Sequence, residues 1–439
     1  MTQQFRQKSS KNLKTLTKRE LYTKFAKENA DMALVPPEIK AFPSLRYYPE
    51  IDDYTMSCGM DRTPSGRIWL AWFGGGDNED AFIAMAKSDD DGMTFSEPQF
   101  VLDGGYVART PLTCVVGNLW TDPQGKLHLF FMLSLGYFDG RGGCWDAVCE
   151  NPDDDSPAWS LPRRIWHGCA LNKPTVLADG SWLLPINLWD RNKIRIDGHH
   201  AAFHDLGHRT DIFSELDNER KTYCFASKDQ GESWMRLGGV VNRINRTFDE
   251  PMLIERRDNS LMMLQRDTTG ITECESFDAG MTWSEPKRFQ LGNASSRFFL
   301  TKLASGRILL IKHSNPAEPG RRSHLSAYLS DDDGKSWYGD MLIDPRDKIS
   351  YPDGFQTPDG RIFIQYDIER AHGEILMTVF SENDIIAGKY VTENSRKPYP
   401  VIQSATKHAQ SEWSVLCATN AFTGNVIVIF LQMRRNAFI

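Results

Sequence analysis

Apolar and polar residues alternate in short segments along most of this chain, and turn-forming residues bound each segment. In the segment HLSAYL (residues 324–329), Leu325, Ala327 and Leu329 are separated by single, more polar residues, which is the period of a β-strand. The octet SDDDGKSW (residues 330–337) follows at once. Its Asp and Ser side chains can bond nearby backbone N–H groups, and its glycine can adopt a positive φ. The pattern predicts a strand that leads into a hairpin turn.

The same octet, of the form S-x-D-x-G-x-[ST]-[WF], occurs four times. Its copies begin at Ser88, Ser227, Ser276 and Ser330, and a degenerate copy, NPDDD (residues 151–155), lies in the longest interval between them. The last three copies are about 50 residues apart, and repeats of this length that are rich in short strands are typical of β-propeller blades. We therefore predict an all-β chain that folds as a six-bladed β-propeller of four-stranded blades, with the octets as peripheral turns.

The two ends of the chain lack the repeat. Residues 1–50 form a predicted N-terminal extension with a helix over residues 17–34, which two consecutive prolines then end. This extension is interpreted as a solvated or packing segment, with an interaction arm as the alternative. Residues 51–390 are assigned to the propeller. Residues 391–439 are a tail of uncertain structure, in which VIVIFL (residues 426–431) is strand-like.

Charge and hydropathy exclude some classes of partner. The formal net charge is −7, which gives a nucleic-acid partner no electrostatic support. The longest apolar run is far too short to span a bilayer, so no membrane partner is predicted. Residues 1–30 are charged and lack the apolar core of a signal peptide, so the default localisation is cytoplasmic. A secreted or periplasmic protein is the alternative if a leader has been removed, and the oligomeric state stays open.

The metal-binding residue types show no strong site pattern. The eight cysteines are irregularly spaced, which favours buried free thiols, with disulfides as the alternative in an exported protein. The insertion between residues 187 and 222 contains His199, His200, His204 and His208, the last three at helical spacing. A loop over the propeller mouth is the favoured interpretation, and a metal site is the alternative. No cofactor and no metal are predicted.

The repeats and several side chains resemble the sialidase (neuraminidase) superfamily, in whose propellers the octets are called Asp-boxes or BNR repeats. The resemblance covers about residues 54–388. Its most specific part is RSHLSAYL (residues 322–329), which fits the family pattern R-x-x-L-x-x-Y-L before an Asp-box. Further family motifs are matched by YPD (residues 351–353), EPML (residues 250–253) and MMLQR (residues 262–266).

The resemblance implies a set of catalytic and substrate-binding residues. Tyr351 would be the nucleophile, Glu250 its proton acceptor, and Asp77 the acid/base, with two further acids of the loop GGGDNED as alternatives to Asp77. Arg266 and Arg322 would bind a substrate carboxylate bidentately. The innermost strands of all blades meet at the axis of a propeller, so these distant residues are expected to gather at its mouth.

The implied chemistry suits a sugar that carries a carboxylate on its anomeric carbon. That carboxylate would repel an anionic Asp or Glu nucleophile, whereas a tyrosine stays neutral until a neighbouring glutamate accepts its proton. Sialidases are the known tyrosine exception among glycosidases. The resemblance therefore implies an exo-acting, retaining glycoside hydrolase that releases a terminal acidic sugar, sialic acid or a related ulosonic acid, from a glycan or glycoside.

One feature of the family is missing from this chain. Sialidases place a first carboxylate-binding arginine in an Arg-Ile-Pro motif on the first strand, and the corresponding stretch here is YTMSCG (residues 54–59). Arg62 and Arg297 are the two candidates to replace that arginine. If neither does so, the ligand is a sugar other than sialic acid.

The candidate residues also have structural interpretations. Arg266 and Arg322 could form salt bridges between blades, and Glu250 could pair with Arg246 or Lys302. Two functional alternatives to the hydrolase stay open as well. One is a uronate-directed polysaccharide lyase that uses a tyrosine and a histidine, and the other is a glycan-binding propeller without catalytic activity.

Overall fold

The computed structural model describes residues 34–107, 110–135, 140–193, 213–292 and 294–406, together with residues 16, 17, 20, 21, 24, 28 and 31. Three of the sequence predictions concern segments beyond this part. Most of the predicted helix over residues 17–34, the histidine-rich insertion (His199 to His208) and the strand-like segment 426–431 lie outside the described residues.

Six antiparallel sheets form the blades of a β-propeller, which confirms the fold that the repeats predict. Blades 1 and 2 each carry one short strand besides four regular ones. Blade 1 consists of β1 (Ile39–Ala41), β2 (Met56–Arg62), β3 (Ile68–Gly74), β4 (Phe82–Ser88) and β5 (Phe100–Leu102). Blade 2 consists of β6 (Tyr106–Val107), β7 (Thr110–Thr121), β8 (Leu127–Leu135), β9 (Gly143–Cys149) and β10 (Arg163–Trp166).

Blades 3 to 6 have four strands each. Blade 3 consists of β11 (Thr175–Val176), β12 (Trp182–Asn187), β13 (Thr222–Ser227) and β14 (Met235–Val240). Blade 4 consists of β15 (Arg246–Glu255), β16 (Leu261–Asp267), β17 (Gly270–Ser276) and β18 (Lys287–Arg288). Blade 5 consists of β19 (Phe299–Lys302), β20 (Ile308–His313), β21 (Ser323–Ser330) and β22 (Tyr338–Asp347). Blade 6 consists of β23 (Ile349–Gln356), β24 (Ile362–Ile368), β25 (Glu374–Phe380) and β26 (Arg396–Gln403).

The helices are short and connect strands. The α-helices whose full bounds lie in the described residues are α1 (Pro49–Asp52) and α2 (Glu382–Ala387), and single 3₁₀ turns occupy Leu45–Tyr47, Arg191–Lys193 and Ser214–Glu219. Within the described part of the chain, no helix has both the length and the apolar character needed to cross a membrane.

Central strands such as β3, β8 and β16 are buried on both faces because each blade packs between two neighbours. All nine residues of β8 are buried. Leu183, Cys224 and Met263 pack together where blades 3 and 4 meet. The seven cysteines within the described residues are buried free thiols, as predicted.

The octets form the turns between the third and fourth regular strands of blades 1, 3, 4 and 5. In the first copy, the Gly92 N–H donates to Ser88 Oγ at 2.9 Å, and Ser88 Oγ donates to Asp90 Oδ1 at 2.8 Å. The Thr94 N–H donates to the same carboxylate at 2.9 Å. The other three copies repeat these contacts. The predicted peripheral turns are therefore confirmed.

The sheets extend beyond residues 51–390, the predicted limits of the propeller, at both ends. β1 pairs with β5 at the outer edge of blade 1, and β26 pairs with β25 as the fourth strand of blade 6. Blade 6 lacks an octet because α2, whose capping box joins Ser381 and Asp384, occupies that connection. This substitution hides β26 from a search for sequence repeats.

A buried histidine in blade 2 makes the stability of the fold depend on pH. His128 is 1% exposed, and its ring nitrogens lie 3.0 Å from Asp146 and 3.5 Å from Asp122. Burial by itself lowers the pKa of His128, but the two carboxylates outweigh it and raise that pKa to about 9. The unfolded value is about 6.5, so the stabilisation is complete below that pH and is lost as the pH rises through about 9.

We expect the unfolding temperature of the wild type to fall between about pH 6.5 and pH 9 more steeply than that of Asp122→Asn, because the variant histidine has lost one of its two anionic neighbours. Thermal melts followed by circular dichroism at a series of pH values measure the two slopes. Equal slopes in the two proteins would contradict this role for His128.

Candidate active site

A cavity of about 250 Å³ lies where the first regular strands of four blades, β2, β7, β15 and β23, approach one another. Its wall brings together five of the residues singled out in the sequence: Asp77, Glu250, Arg266, Arg322 and Tyr351. These residues come from four blades and are widely separated in the chain. The geometry of the propeller thus gathers them in one place, as expected.

Irregular backbone positions Glu250 and Tyr351. Each lies at a register shift in the first strand of its blade, Glu250 in β15 and Tyr351 in β23. Both residues have a positive φ, 40° for Glu250 and 56° for Tyr351. Bulges of this kind re-aim side chains, and left-handed backbone at residues other than glycine costs on the order of 1–3 kcal/mol. The surrounding structure therefore holds both residues in conformations that they would not adopt alone.

Tyr351 and Glu250 form a direct hydrogen bond in the cavity. The Tyr351 hydroxyl donates to Glu250 Oε1 at 2.7 Å, and Arg266 Nη1 donates to the same carboxylate oxygen at 2.6 Å and to the tyrosine oxygen at 3.2 Å. Burial, and after it the Glu250 carboxylate, raises the pKa of Tyr351 to about 12, although the nearby arginines act in the opposite direction. The phenol is therefore protonated at neutral pH. Glu250 pairs with Arg266, whereas Arg246 and Lys302 have other partners.

Three arginine side chains face Tyr351. Arg266 Nε donates to Ser295 Oγ at 3.3 Å, and Arg322 Nη2 donates to the Ser295 carbonyl at 2.8 Å. The guanidinium of Arg370 lies 4.3 Å from the centre of the Tyr351 ring, and that of Arg322 lies 5.9 Å from it. Three cationic and two carboxylate side chains line the cavity. The cavity is therefore locally positive in a protein whose net charge is −7.

Arg370 is a cavity residue that the sequence analysis missed. It follows β24, and its Nε donates to Asp367 Oδ1 at 3.0 Å while its Nη2 donates to Ser350 Oγ at 2.7 Å. Asp367 also accepts the backbone N–H of Ser57 in β2 at 3.2 Å. Ser57 belongs to the stretch from which the family's first arginine is missing, so Arg370 supplies a cation from blade 6 beside that gap. The one nearby feature of the sequence that relates to Arg370 is Asp367, its ion-pair partner three residues earlier.

The two predicted substitutes, Arg62 and Arg297, do not line the cavity. Arg297 is fully buried, with Nη2 donating to Asp353 Oδ1 at 3.0 Å and Nη1 to the Cys58 carbonyl at 2.6 Å. Arg62 lies at the end of β2, and a strand advances about 3.3 Å per residue, which separates it from the cavity residues at the start of β2. The structure places Arg370, and neither of the other two, beside Tyr351.

Asp77 reaches the cavity from the loop between β3 and β4. Gly75 and Gly76 have φ values of 80° and 113°, which glycine adopts at little cost, and the Gly75 N–H donates to Asp52 in α1 at 2.7 Å. These features fix the start of the loop. Asp77 is exposed and lines the cavity, whereas the other two acids of the loop do not line it. An accessible acid at the mouth suits proton transfer to a leaving group.

Another part of the wall is apolar. Leu171, Val116, Trp189 and Phe248 line the cavity. Trp189 Nε1 donates to the Phe248 carbonyl at 2.9 Å, and the two rings meet edge to face at 5.4 Å. These side chains can contact the nonpolar parts of a ligand whose charge is bound by the arginines. Within the described residues, no group of three or more His, Cys, Asp or Glu is arranged to hold a metal ion.

Six blades, four of them with octet turns, form a β-propeller around this cavity, and comparison with known proteins agrees on the fold. Residues 66–364, more than half of the chain, match the family model described as the BNR repeat-like domain. The chain therefore belongs to the BNR repeat-like family.

Several solved structures share this fold at low sequence identity. A Hadza microbial sialidase is 17% identical with a TM-score of 0.57, over 75% of this chain and 66% of that chain. The leech intramolecular trans-sialidase is 14% identical with a TM-score of 0.55, over 80% of this chain and 71% of that one. Trypanosoma rangeli sialidase is 14% identical with a TM-score of 0.53, over 91% of this chain and 62% of that one. Likeness at these identities establishes the fold, and this chain spans less than two thirds of the trypanosomal protein.

Proposed function

We propose that this protein is an exo-acting glycoside hydrolase that releases a terminal acidic sugar, sialic acid or a related ulosonic acid. The observation that carries the proposal is the 2.7 Å hydrogen bond between Tyr351 and Glu250, faced by three arginines in a cavity of about 250 Å³. A tyrosine beside a carboxylate supplies a nucleophile and its base, and the arginines supply a binding site for an anion.

In the proposed reaction, Tyr351 attacks the anomeric carbon. Glu250 accepts the phenolic proton as the new C–O bond forms, the glycosidic bond breaks, and Asp77 donates a proton to the leaving oxygen. Water then attacks the anomeric carbon of the glycosyl-tyrosine while Asp77 accepts a proton from it. Glu250 returns its proton to the departing tyrosine oxygen. Two inversions at the anomeric carbon give net retention of configuration.

Arg266 has two tasks in this scheme. Its Nη1 touches both the Glu250 carboxylate and the Tyr351 oxygen, so its charge stabilises the phenolate that develops as the proton leaves. Together with Arg322 and Arg370 it also binds the carboxylate of the substrate. A neutral tyrosine can approach a carbon that bears this carboxylate, whereas an aspartate or glutamate would meet like charge.

The ligands of two similar structures support this substrate class. The leech enzyme was solved with 2,7-anhydro-Neu5Ac, and the trypanosomal enzyme with 2,3-difluorosialic acid as a covalent intermediate. The lyase alternative calls for a histidine beside Tyr351, and none of the described histidines lines the cavity.

The proposal is tested by incubating the protein with a panel of acidic oligosaccharides and analysing the products by mass spectrometry and NMR. We expect one free acidic monosaccharide, released from the non-reducing end with its anomeric configuration retained. An unsaturated product that absorbs in the ultraviolet would establish a lyase instead. Saturable binding without any product would establish a glycan-binding propeller.

Arg370→Ala is expected to lower kcat/KM on the acidic glycoside by about 30- to 5,000-fold, because a desolvated carboxylate that loses an arginine partner typically costs about 2–5 kcal/mol. Steady-state kinetics measure the loss. Arg62→Ala is the matched control and should retain wild-type kinetics, since Arg62 does not line the cavity. Full activity of Arg370→Ala would remove Arg370 from the binding site.

A further inference from the structure

A second and larger depression adjoins the catalytic cavity. This outer groove has a volume of about 770 Å³, and the residues that matter in its lining are Arg321, Arg322, Lys348, Glu369, Arg370 and His372. Arg322 and Arg370 also line the catalytic cavity, so the two spaces meet at these side chains. A substituent that points from the cavity towards these two arginines would enter the groove.

The catalytic cavity has room for one sugar unit. Its volume of about 250 Å³ lies below the range of about 300–1,000 Å³ that is typical of pockets for drug-sized ligands. An exo-acting hydrolase binds only the terminal sugar beyond the bond that it cleaves. The leaving-group sugar therefore lies outside the cavity, and the outer groove is an adjoining space large enough to hold it.

Two cationic side chains of the groove, Lys348 and Arg321, form exposed ion pairs. The Lys348 side chain is 71% exposed and pairs with Glu369 at 3.3 Å. The Arg321 side chain is 44% exposed and pairs with Glu318 at 3.0 Å and with Asp347. Exposed pairs of this kind contribute little to stability. An anionic ligand can therefore compete with these carboxylates for Lys348 and Arg321.

Among the described residues, the lining of the groove carries more positive than negative side chains. Four of its residues are arginine or lysine and two are acidic. None of the described lining residues is Phe, Tyr or Trp. A neutral sugar thus finds no aromatic face to pack against, whereas an acidic one finds complementary charge.

We propose that the outer groove binds the leaving-group sugar and that this sugar is itself acidic. The inference rests on the proposed hydrolase function and specifies its substrate class: oligosaccharides in which two acidic sugars are adjacent. Arg322 and Arg370, which line both the cavity and the groove, bind the carboxylate of the terminal sugar. Lys348 and Arg321 bind the carboxylate of the leaving-group sugar.

The test compares two disaccharides that share the same terminal acidic sugar, one joined to a second acidic sugar and the other to galactose. We expect the wild type to show a kcat/KM at least about 10-fold higher on the diacidic disaccharide, with a ratio that falls as salt is raised. Lys348→Glu should lower this ratio by a similar factor. Lys287→Glu is the matched control, because Lys287 is also exposed and paired with glutamates but lies in β18, and its ratio should equal that of the wild type.

Failure of this inference differs from failure of the proposed function. If neither disaccharide is cleaved, the hydrolase proposal itself fails. If both are cleaved with equal kcat/KM and Lys348→Glu leaves the ratio unchanged, only the assignment of the groove is overturned. Calorimetric binding of the diacidic disaccharide to Tyr351→Phe gives a readout without turnover, and adding Lys348→Glu to that variant should weaken the binding.

Discussion

Tyr351→Phe is expected to lower kcat by about 10³-fold or more while the protein remains folded. The phenylalanine ring keeps the packing of the tyrosine, but the oxygen proposed to attack the anomeric carbon is gone. KM should change little, because the arginines proposed to bind the substrate carboxylate are still present. Residue 351 has a positive φ in both the wild type and the variant. A difference in kcat between them is therefore not due to the strained backbone.

Tyr328→Phe provides the matched control for this experiment. Tyr328 is also buried and donates its hydroxyl to a carboxylate, Asp340 Oδ1, at 2.5 Å, but it does not line the cavity. Its variant should keep wild-type kcat, and any loss of stability it shows calibrates the effect of removing one buried hydroxyl. Similar kcat values for Tyr351→Phe and the wild type would exclude Tyr351 as the nucleophile.

Arg297→Met is expected to lower the free energy of unfolding by about 3–5 kcal/mol, because it leaves the buried Asp353 carboxylate without its guanidinium partner. Arg297 lies next to β19 of blade 5, and its hydrogen bonds reach Cys58 in blade 1, Asn118 in blade 2 and Asp353 in blade 6. The side chain therefore joins four blades at the centre of the ring. Urea denaturation followed by tryptophan fluorescence measures the change.

Arg163→Met is the control for the loss of stability. Arg163 pairs with Glu232 at 2.6 Å, but both side chains are largely exposed, 43% and 67%, and such a pair contributes about 0–1 kcal/mol. The two variants thus remove the same type of side chain from a buried and an exposed ion pair. If they shift the urea midpoint equally, the central network around Arg297 does not stabilise the ring.

The sequence predicts the blades because each octet is a local device. Serine, aspartate and glycine within eight residues close a turn through their own hydrogen bonds. The four copies therefore predict four blades and the spacing between them. The last blade is different, since α2 replaces the turn there and β26 follows without a repeat signal. Its position depends on pairing with β25, which is tertiary information.

The residues of the candidate site likewise fall into those that the sequence predicts and one that it does not. Glu250, Arg266, Arg322 and Tyr351 stand in short motifs on or beside strands, and the structure brings them together. Arg370 has no such motif. It lies beside Tyr351 because β24, which it follows, pairs with β23 so that Ser350 lies opposite Asp367.

The role of Arg297 is evident only from its burial in the structure. Nothing in the sequence around Arg297 distinguishes a ligand-binding arginine from one that pairs with the buried Asp353. The distinction depends on where the strands of four blades converge.

Closure of the ring between blades 1 and 6 also determines when the active site can form during folding. Ser57 donates to the Tyr351 carbonyl at 2.9 Å and its N–H donates to Asp367, contacts that join residues 294 and 310 positions apart in the chain. Contacts of such long range form slowly, because the chain must first lose the entropy of a large loop. Single blades, by contrast, are built from neighbouring hairpins. A chain in which only blades 1 to 5 have folded still lacks both Tyr351 and Arg370, so the candidate site is complete only once blade 6 has closed the ring.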